Sequence, residues 1–251
     1  MTDKIGFGVD VGGSGIKGGR VDLTTGQLIG DRIKILTPQP ATPEAVAETI
    51  AEIVKIAEWE GDIGITIPSV VRNQTALLAA NIDKSWVNTN CQDLFKKYLP
   101  NNPAHVLNDA DAAGLAEVQF GDEANRTGSV MLLTFGTGIG SALIHDGVLY
   151  PNSELGHLVI DGVEAEKYAS SKVKEDEDLS YKKWAKRVSK VLATYEKLFW
   201  PSRIIVGGGI SRKSDKWVPL LTCETEVRVA TLHNNAGIAG AALAADQGLY
   251  P

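Results

Sequence analysis

The chain has 251 residues, of which 43% are hydrophobic and 22% are charged, as in an ordinary water-soluble protein with two modest α/β lobes or one large one. The formal net charge of −6 argues against a surface that coats nucleic acid. The two cysteines, Cys91 and Cys223, are too few for a disulfide framework or a four-thiolate zinc site.

The N-terminus enters an apolar run without the charged region and long apolar region of a signal peptide. No apolar stretch approaches the roughly 18 residues that a transmembrane helix needs. Together with the low cysteine count, these features predict a cytoplasmic protein that binds neither membrane nor nucleic acid.

The first half alternates between strands, turns and helices. Residues 4–13 alternate in hydrophobicity and run into a glycine turn, and two more short strands follow, which predicts an antiparallel meander. Thr42 followed by Pro43 is a good start for a helix whose apolar residues recur at helical spacing. A buried strand (62–68), a short amphipathic helix (91–99) and a strand (104–109) that runs into another helix come next.

The second half repeats this order. Residues 129–144 predict a strand, a glycine turn and a returning strand, and a helix begins near 166. The charged stretch 172–178 predicts a solvated turn, and a long helix follows Ser180. A strand with a glycine turn (203–211), a strand (227–232) and a helix of small residues (236–246) complete the chain. The similarity of 5–21 and 130–144 indicates an internal duplication of one lobe plan.

Three glycine turns are suited to holding phosphate groups: "DVGGSGIK" (10–17), "FGTGIG" (135–140) and "VGGGIS" (206–211). Glycine lets the backbone approach an anion closely, and Ser14 and Thr137 add hydroxyl donors. The first two match neither a Walker A loop nor a dinucleotide-binding fingerprint. Either one alone fits a bare hairpin turn, but two of them in one chain favour a phosphate cradle.

In this order the three turns resemble the phosphate and nucleotide segments of the sugar kinase, Hsp70 and actin superfamily. "LND" (107–109) before a helix, followed by "ELGH" (154–157), is similar to the ROK family of sugar kinases. "AANIDKSW" (79–86) and residues 154–170 resemble the polyphosphate-using glucokinases of that family, including those that also use ATP. The resemblance covers nearly the whole chain.

The resemblance implies an α/β, two-lobed actin-like ATPase (ribonuclease H-like) fold with a cleft between the lobes. The expected lobes are 1–108 plus 235–251 and 109–234, with the last helix packed on the N-terminal lobe. The implied reaction transfers a phosphoryl group from inorganic polyphosphate, or also from ATP, to the 6-hydroxyl of glucose, with Mg²⁺ as cofactor. We also expect a homodimer.

Two aspartates at strand ends are the candidate catalytic and metal residues. Asp109 lies beside Asn108 where a helix opens, a position that suits either a general base or a simple N-cap. In the ROK pattern the aspartate of this Asn-Asp pair is the base, and Asn108 helps to hold the sugar. Asp10 matches an aspartate that interacts with the metal, often through water, although a turn-stabilising role also fits.

Glu154 and His157 form a Glu-x-x-His pair, which suits half of a metal site, a clamp for a polar ligand or an unrelated pair on a loop. A di-iron site needs partner motifs that the sequence lacks, and zinc is poorly supplied by four histidines. In the ROK family the matching pair contacts the sugar, and Glu166 matches a further sugar-binding glutamate. Many relatives carry a cysteine-rich zinc loop between them. Here "LVIDGVEA" (158–165) replaces that loop, so no zinc is expected.

The resemblance assigns the remaining site residues to the phosphoryl donor. Phosphate binding is expected from Gly12, Gly13, Ser14, Gly15, Lys17, Gly136, Thr137 and Gly138, and the nucleotide side from Gly207, Gly208 and Gly209. Lys182, Lys186 and Lys190 share one face of the long helix, which either guides polyphosphate or is an ordinary solvated face.

Three rival functions share parts of this pattern. An ATP-dependent glucokinase or glucomannokinase of the ROK family would carry the same motifs. A ROK repressor carries an N-terminal helix-turn-helix, for which a first strand beginning by Ile5 leaves no room. A non-catalytic sugar-binding module would bind glucose without phosphoryl transfer.

Overall fold

The computed structural model describes residues 4–79 and 82–249, so Ala80 and Asn81 of the segment 79–86 lie outside the described residues. The chain forms two compact units, residues 1–120 with 235–251 and residues 121–234. None of the described helices combines the length and the apolar character that a membrane crossing requires.

The elements follow one another in the order that the sequence predicts, with a few short strands added. The first unit contains β1 (Ile5–Gly12), β2 (Gly15–Asp22), β3 (Leu28–Ile35), α1 (Pro43–Ile56), β4 (Ile63–Ile67), β5 (Val71–Arg72), β6 (Thr75–Ala76), β7 (Thr89–Asn90), α2 (Cys91–Tyr98), β8 (Ala104–Asn108) and α3 (Asp109–Phe120). The second contains β9 (Ser129–Phe135), β10 (Ile139–His145), β11 (Val148–Tyr150), β12 (Val159–Ile160), β13 (Val163–Glu164), α4 (Ala165–Ala169), α5 (Ser171–Asp176), α6 (Tyr181–Phe199), β14 (Arg203–Gly207) and β15 (Val227–Val229). The chain then returns to the first unit with α7 (Ala236–Asp246).

Each unit is built on a five-stranded sheet of the same plan. The orders are β3-β2-β1-β4-β8 in the first unit and β11-β10-β9-β14-β15 in the second. In both, the first three strands form an antiparallel meander and the last two run parallel to the first strand of that meander. The predicted duplication of one lobe plan is therefore confirmed.

Helix α7 lies in direct backbone contact with the first unit, which explains its small residues. A Cβ on Gly64 would lie 1.8 Å from the carbonyl oxygen of Ala241, and a Cβ on Gly240 would lie 1.8 Å from that of Ala112. The second contact ties α3 to α7, so α3 belongs to the first unit. The unit boundary consequently follows residue 120, whereas the sequence analysis placed it after residue 108. The last helix, α7, groups with the first unit.

The core of the second unit lies between its sheet and α6. Trp184 on α6, Phe135 at the end of β9 and Trp217 are fully buried against one another. Ser180 caps α6 as predicted, since its hydroxyl accepts a hydrogen bond from the Lys183 amide at 3.3 Å. The stretch 172–178 is mostly exposed, as predicted. The predicted turn was wrong, because Ser170 caps a short helix, α5, that continues to Asp176.

Candidate active site

The candidate residues fall in both units, and each group is described within its own unit. In the first unit Asp10 lies at the carboxyl end of β1, directly opposite Lys17 on β2 and Thr66 on β4. One carboxylate oxygen lies 3.2 Å from the Lys17 ammonium, and the other accepts a hydrogen bond from the Thr66 hydroxyl at 3.1 Å. These three side chains form one charged rung across the sheet, which we call the Asp10 rung.

The first glycine turn is tight and open to ligands. Gly12 pairs with Gly15, so only Gly13 and Ser14 span the turn, and both are exposed. A side chain at Gly13 would meet no atom within 4 Å. The Thr37 hydroxyl donates to the Gly12 carbonyl at 2.5 Å and holds the turn from behind. The backbone of this turn is therefore reachable by an anion.

A cavity of about 270 Å³ lies beside this turn, at the small end of the range for ligand pockets. Its walls include Gly12, Gly13, Gln39, Pro68 and Asp83. Gln39 carries no motif in the sequence, and Asp83 is noted there only as part of the segment 79–86. The cavity shows that the turn borders a space fit for a small ligand.

Asn108 caps the first turn of α3. The Asn108 side-chain oxygen accepts hydrogen bonds from the backbone amides of Ala110 and Asp111 at 2.8 and 3.1 Å, and its amide donates to the Ser69 carbonyl at 3.1 Å. Asn108 is buried, whereas Asp109 is half-buried in the first turn of the helix. The Asp109 carboxylate also accepts a hydrogen bond from the Ala110 amide at 2.9 Å, so it lies at a helix N-terminus, where a negative charge is stabilised, and both alternatives for Asp109, general base and cap, stay open.

In the second unit three glutamates surround His157. Its Nε2 lies 3.8 Å from Glu154, and its Nδ1 lies 3.8 Å from Glu164 and 3.7 Å from Glu166. The structure thus brings together three of the residues predicted to hold the sugar, Glu154, His157 and Glu166, and adds Glu164, whereas Asn108 lies in the first unit. The ligand atoms of His157, Glu164 and Glu166 lie within 4.8 Å of one another, a spacing that a metal ion could span. Glu164 is already paired with Lys167 at 2.6 Å.

The "ELGH" turn is held by groups that the sequence analysis did not anticipate. The buried Ser141 hydroxyl accepts a hydrogen bond from the Leu155 amide at 3.0 Å, and the Tyr195 hydroxyl donates to the Leu155 carbonyl at 2.7 Å. A Cβ on Gly156 would lie 2.2 Å from the Ile139 carbonyl oxygen, so only glycine fits there. Tyr195 is recognisable in the sequence only as one apolar-face residue of a long helix, which explains why its role was missed.

The pKa values of Glu154 and Glu164 are shifted in opposite directions. Burial raises the pKa of Glu154, and the nearby Glu166 raises it further, while His157 opposes both. The hydrogen bond from Lys167 lowers the pKa of Glu164. Glu154 therefore takes up a proton at a higher pH than an ordinary glutamate, and Glu164 does so at a lower pH.

The two glycine turns of the second unit are neighbours. Gly207 pairs with Thr134 across β14 and β9, so the turns at 136–138 and 207–209 leave the same edge of the sheet. Gly208 has φ of +83°, and a Cβ there would lie 2.4 Å from the Phe135 carbonyl oxygen. Only glycine therefore allows the two turns to touch.

The turn at 136–138 also adjoins the glutamate cluster. The Glu166 carboxylate accepts a long hydrogen bond, 3.4 Å, from the amide of Ile139, the residue directly after Gly138. Thr137 at the tip of the turn is exposed. The candidate sugar residues and the candidate phosphate turn of this unit therefore form one continuous surface.

Comparison with known proteins identifies relatives over nearly the whole chain. The family model of the ROK family matches residues 6–173. The chain is 60% identical to the polyphosphate glucokinase of Mycobacterium tuberculosis (strain CDC 1551 / Oshkosh) over 243 residues, which cover 97% of this chain and 92% of that protein.

Two solved structures support the same relationship. The inorganic polyphosphate/ATP-glucomannokinase from Arthrobacter sp. strain KM superposes with a TM-score of 0.93 at 44% identity and covers 98% of this chain and 99% of its own. A ROK family glucokinase from Streptomyces griseus, in complex with glucose and AMPPNP, has a TM-score of 0.80 at 26% identity, with 98% and 100% covered. The predicted two-lobed, actin-like ATPase fold is confirmed. The chain belongs to the ROK family.

Proposed function

We propose that this protein phosphorylates glucose at the 6-hydroxyl with inorganic polyphosphate as the phosphoryl donor. The observation that carries the proposal is the 60% identity to a polyphosphate glucokinase over 97% of the chain. The continuous surface formed by the turn at 136–138 and the glutamate cluster supports it, because a sugar kinase needs donor and acceptor groups side by side.

Asp109 is the proposed general base. It accepts the proton of the glucose 6-hydroxyl while the oxygen attacks the terminal phosphorus, and the bond from that phosphorus to the rest of the polyphosphate breaks. Its position supports the role: Asn108 accepts hydrogen bonds from two amides of the first turn of α3, and the Asp109 carboxylate is half-buried at the helix N-terminus. The Asn108 amide donates one hydrogen to the Ser69 carbonyl, and its second hydrogen is the one proposed to donate to the sugar.

Glu154, His157 and Glu166 are the proposed sugar clamp. Carboxylate oxygens accept hydrogen bonds from sugar hydroxyls, and an imidazole nitrogen donates or accepts one. The distances of 3.7 to 3.8 Å from His157 to Glu154 and Glu166 exceed hydrogen-bond length, so these groups retain capacity for a ligand. The backbone of the turns at 12–15 and 136–138, together with Lys17, is proposed to hold the phosphates, and that at 207–209 to line the donor side.

Mg²⁺ is the proposed cofactor, and Asp10 is the residue that would hold it. A carboxylate beside a phosphate turn offers the oxygen ligands that Mg²⁺ prefers. Both oxygens of Asp10 already contact Lys17 or Thr66, so contact through the water shell of the ion fits better than direct ligation. When bound, Mg²⁺ would neutralise charge on the donor phosphates.

A second candidate, use of ATP and of mannose, is favoured by the Arthrobacter relative, whose name states both donors and both sugars. Purified protein assayed with polyphosphate or ATP, each with glucose or mannose, separates the possibilities. Faster turnover with polyphosphate and glucose supports the main proposal, and turnover with ATP alone contradicts it.

The base assignment is tested by Asp109→Asn. We expect kcat to fall by about 10²- to 10⁴-fold while glucose binding, measured by calorimetry, changes little, because the amide keeps the shape but cannot accept the proton. Asp93→Asn, in the first turn of α2, is the matched control and should retain full activity. Full activity in Asp109→Asn would reject the assignment.

A further inference from the structure

Two lysines lie over the ring of Tyr181 at the beginning of α6. The Lys174 ammonium lies 4.5 Å from the ring centroid and the Lys216 ammonium 5.8 Å from it. Within the described part of the chain neither ammonium forms an ion pair with a carboxylate. We call Lys174, Tyr181 and Lys216 the Tyr181 cluster. Among the described residues it places two ammonium groups, neither in an ion pair, at one ring, in a chain whose net charge is −6.

The Tyr181 cluster is attached to the glycine turn at 136–138. The Gly136 carbonyl accepts hydrogen bonds from the Ser171 hydroxyl at 3.0 Å and from the Lys172 amide at 3.1 Å. Lys174 lies one helical turn beyond Ser171 on α5. Lys172 is paired with Asp176 at 2.8 Å. Lys174 is therefore the first cation along α5, away from the turn, that has no acidic partner.

Three buried aromatic rings fix the Tyr181 cluster relative to that turn. Phe135 directly precedes Gly136, Trp217 directly follows Lys216, and Trp184 lies one helical turn after Tyr181. The ring centroids of Phe135 and Trp217 are 5.7 Å apart, and those of Trp184 and Trp217 are 4.8 Å apart. Because all three rings are fully buried, the backbone beside Gly136, Tyr181 and Lys216 is anchored in the core.

The segments around the cluster carry more basic than acidic side chains. The face of α6 that carries Lys190 is a weaker candidate for binding an anion, since Lys190 is paired with Asp161 and the nearby Arg187 with Glu177. The segments 171–176 and 209–216 carry Lys172, Lys174, Arg212, Lys213 and Lys216 against Glu175, Asp176 and Asp215. The excess charge next to the turn thus lies at the Tyr181 cluster.

We propose that the Tyr181 cluster is a donor subsite for polyphosphate. It binds phosphate groups that lie further along the donor chain than the terminal phosphoryl group that is transferred. This inference rests on the proposed function, because it takes the turn at 136–138 as the place of the terminal phosphates. An ammonium group over an aromatic ring keeps N–H groups that can donate to phosphate oxygens, while the ring limits its motion. A purine would compete with Lys174 for the ring, so the cluster suits a polyanion better than a nucleobase.

The test compares short and long donors in the double variant K174Q/K216Q. We expect the KM for long-chain polyphosphate to rise about tenfold with little change in kcat, and the salt dependence of that KM to weaken. Tripolyphosphate, tested as donor and as inhibitor, should bind as before, because the proposal assigns its terminal phosphates to the turn and only a longer chain has many further phosphates for the cluster. Tyr181→Leu keeps both charges but removes the ring, so a smaller rise is expected.

Lys97→Gln is the matched control, since Lys97 lies 5.0 Å from the ring centroid of Tyr98 in the other unit. It should leave all constants unchanged. An unchanged KM for long-chain polyphosphate in the double variant, or an equal rise for tripolyphosphate, would overturn the subsite. If the wild type does not turn over polyphosphate, the proposed function fails, and calorimetric binding of long-chain polyphosphate to wild type and double variant still decides the subsite.

Discussion

The two units repeat one sheet plan, but one corresponding strand position is charged in the first unit and neutral in the second. In the first unit, the strand residue two places before the glycine turn is Asp10, with Lys17 and Thr66 as its neighbours. In the second unit the corresponding residue is Thr134, and its neighbours are Gly140 and Gly207. The Asp10 rung is charged, and Asp10 contacts both Lys17 and Thr66. Thr134 is neutral, and its two strand neighbours are glycines without side chains.

The difference assigns separate tasks to two copies of one architecture. A charged rung beside a glycine turn can hold a cation or a lysine in place, whereas a rung flanked by glycines leaves backbone amides open to an anion. The helix packing differs as well. In the first unit α7 touches the sheet through Gly8 and Gly64, where no side chain fits. In the second, large aromatic rings separate α6 from the sheet.

The largest expected effect comes from adding a methyl group where α7 touches the sheet. In Gly64→Ala the new Cβ would lie 1.8 Å from the Ala241 carbonyl oxygen, so backbone must move. We expect a loss of about 3 kcal/mol of unfolding free energy and a melting temperature lower by roughly 10 °C. Calorimetry or circular dichroism measures both.

Gly207→Ala is the control in the second unit. Its Cβ would lie 3.5 Å from the Ala230 side chain, an ordinary contact, so the melting temperature should change by less than about 3 °C. Equal losses in the two variants would show that the units do not differ in how closely a helix approaches the sheet.

Much of this architecture was predictable from sequence because strands and turns leave local patterns. Alternating hydrophobicity and glycine pairs identified the strand–turn–strand segments, and Thr42 with Pro43 identified the start of α1. The approach of α7 to Gly64 could not be predicted, since the two segments are far apart in the chain. The helix α5 was missed because its charged sequence hides the cap supplied by Ser170.

The candidate site divides in the same way. The motif residues Glu154 and His157 were singled out from spacing and resemblance, and the structure brings them together with Glu166. Their supports, Ser141 and Tyr195, carry no local signal, because only the fold brings them to Leu155. The cap of α3 illustrates a further limit: Asn108 and Asp109 both suit an N-cap, and only the structure shows from which amides each side chain accepts hydrogen bonds.

The second prediction tests the charged rung against the neutral one. In Asp10→Asn the charge that pairs with Lys17 is lost, and we expect kcat to fall about 100-fold with a higher requirement for Mg²⁺. Thr134→Val, at the corresponding position of the second unit, should lower kcat less than about threefold. Steady-state kinetics over a range of Mg²⁺ concentrations measures both variants. Similar losses in both, or an unchanged Mg²⁺ requirement in Asp10→Asn, would contradict the division of tasks.

The smallest effect concerns Glu154 in the second unit. Burial raises the pKa of this carboxylate, whereas Asp10 in the first unit is paired with Lys17. Because burial raises its pKa, Glu154 becomes protonated at a higher pH than an ordinary glutamate, whose pKa is 4.5. As the pH falls, the KM for glucose should therefore begin to rise at a higher pH than an ordinary glutamate would give. Glu154→Gln should raise this KM about tenfold at neutral pH and abolish that rise.

The substitution Glu154→Gln should weaken glucose binding without weakening the stability of the fold. A raised pKa in the folded protein means that the ionised carboxylate disfavours folding above that pKa, so Glu154→Gln should not lower the melting temperature at pH 7. Any gain in melting temperature of Glu154→Gln over the wild type should shrink as the pH falls through the pKa of Glu154. Glu164→Gln is the matched control, because Lys167 lowers the pKa of Glu164, and its glucose KM should keep the wild-type pH dependence. If Glu164→Gln abolishes the rise in KM and Glu154→Gln does not, then Glu164 is the glutamate that titrates with glucose binding.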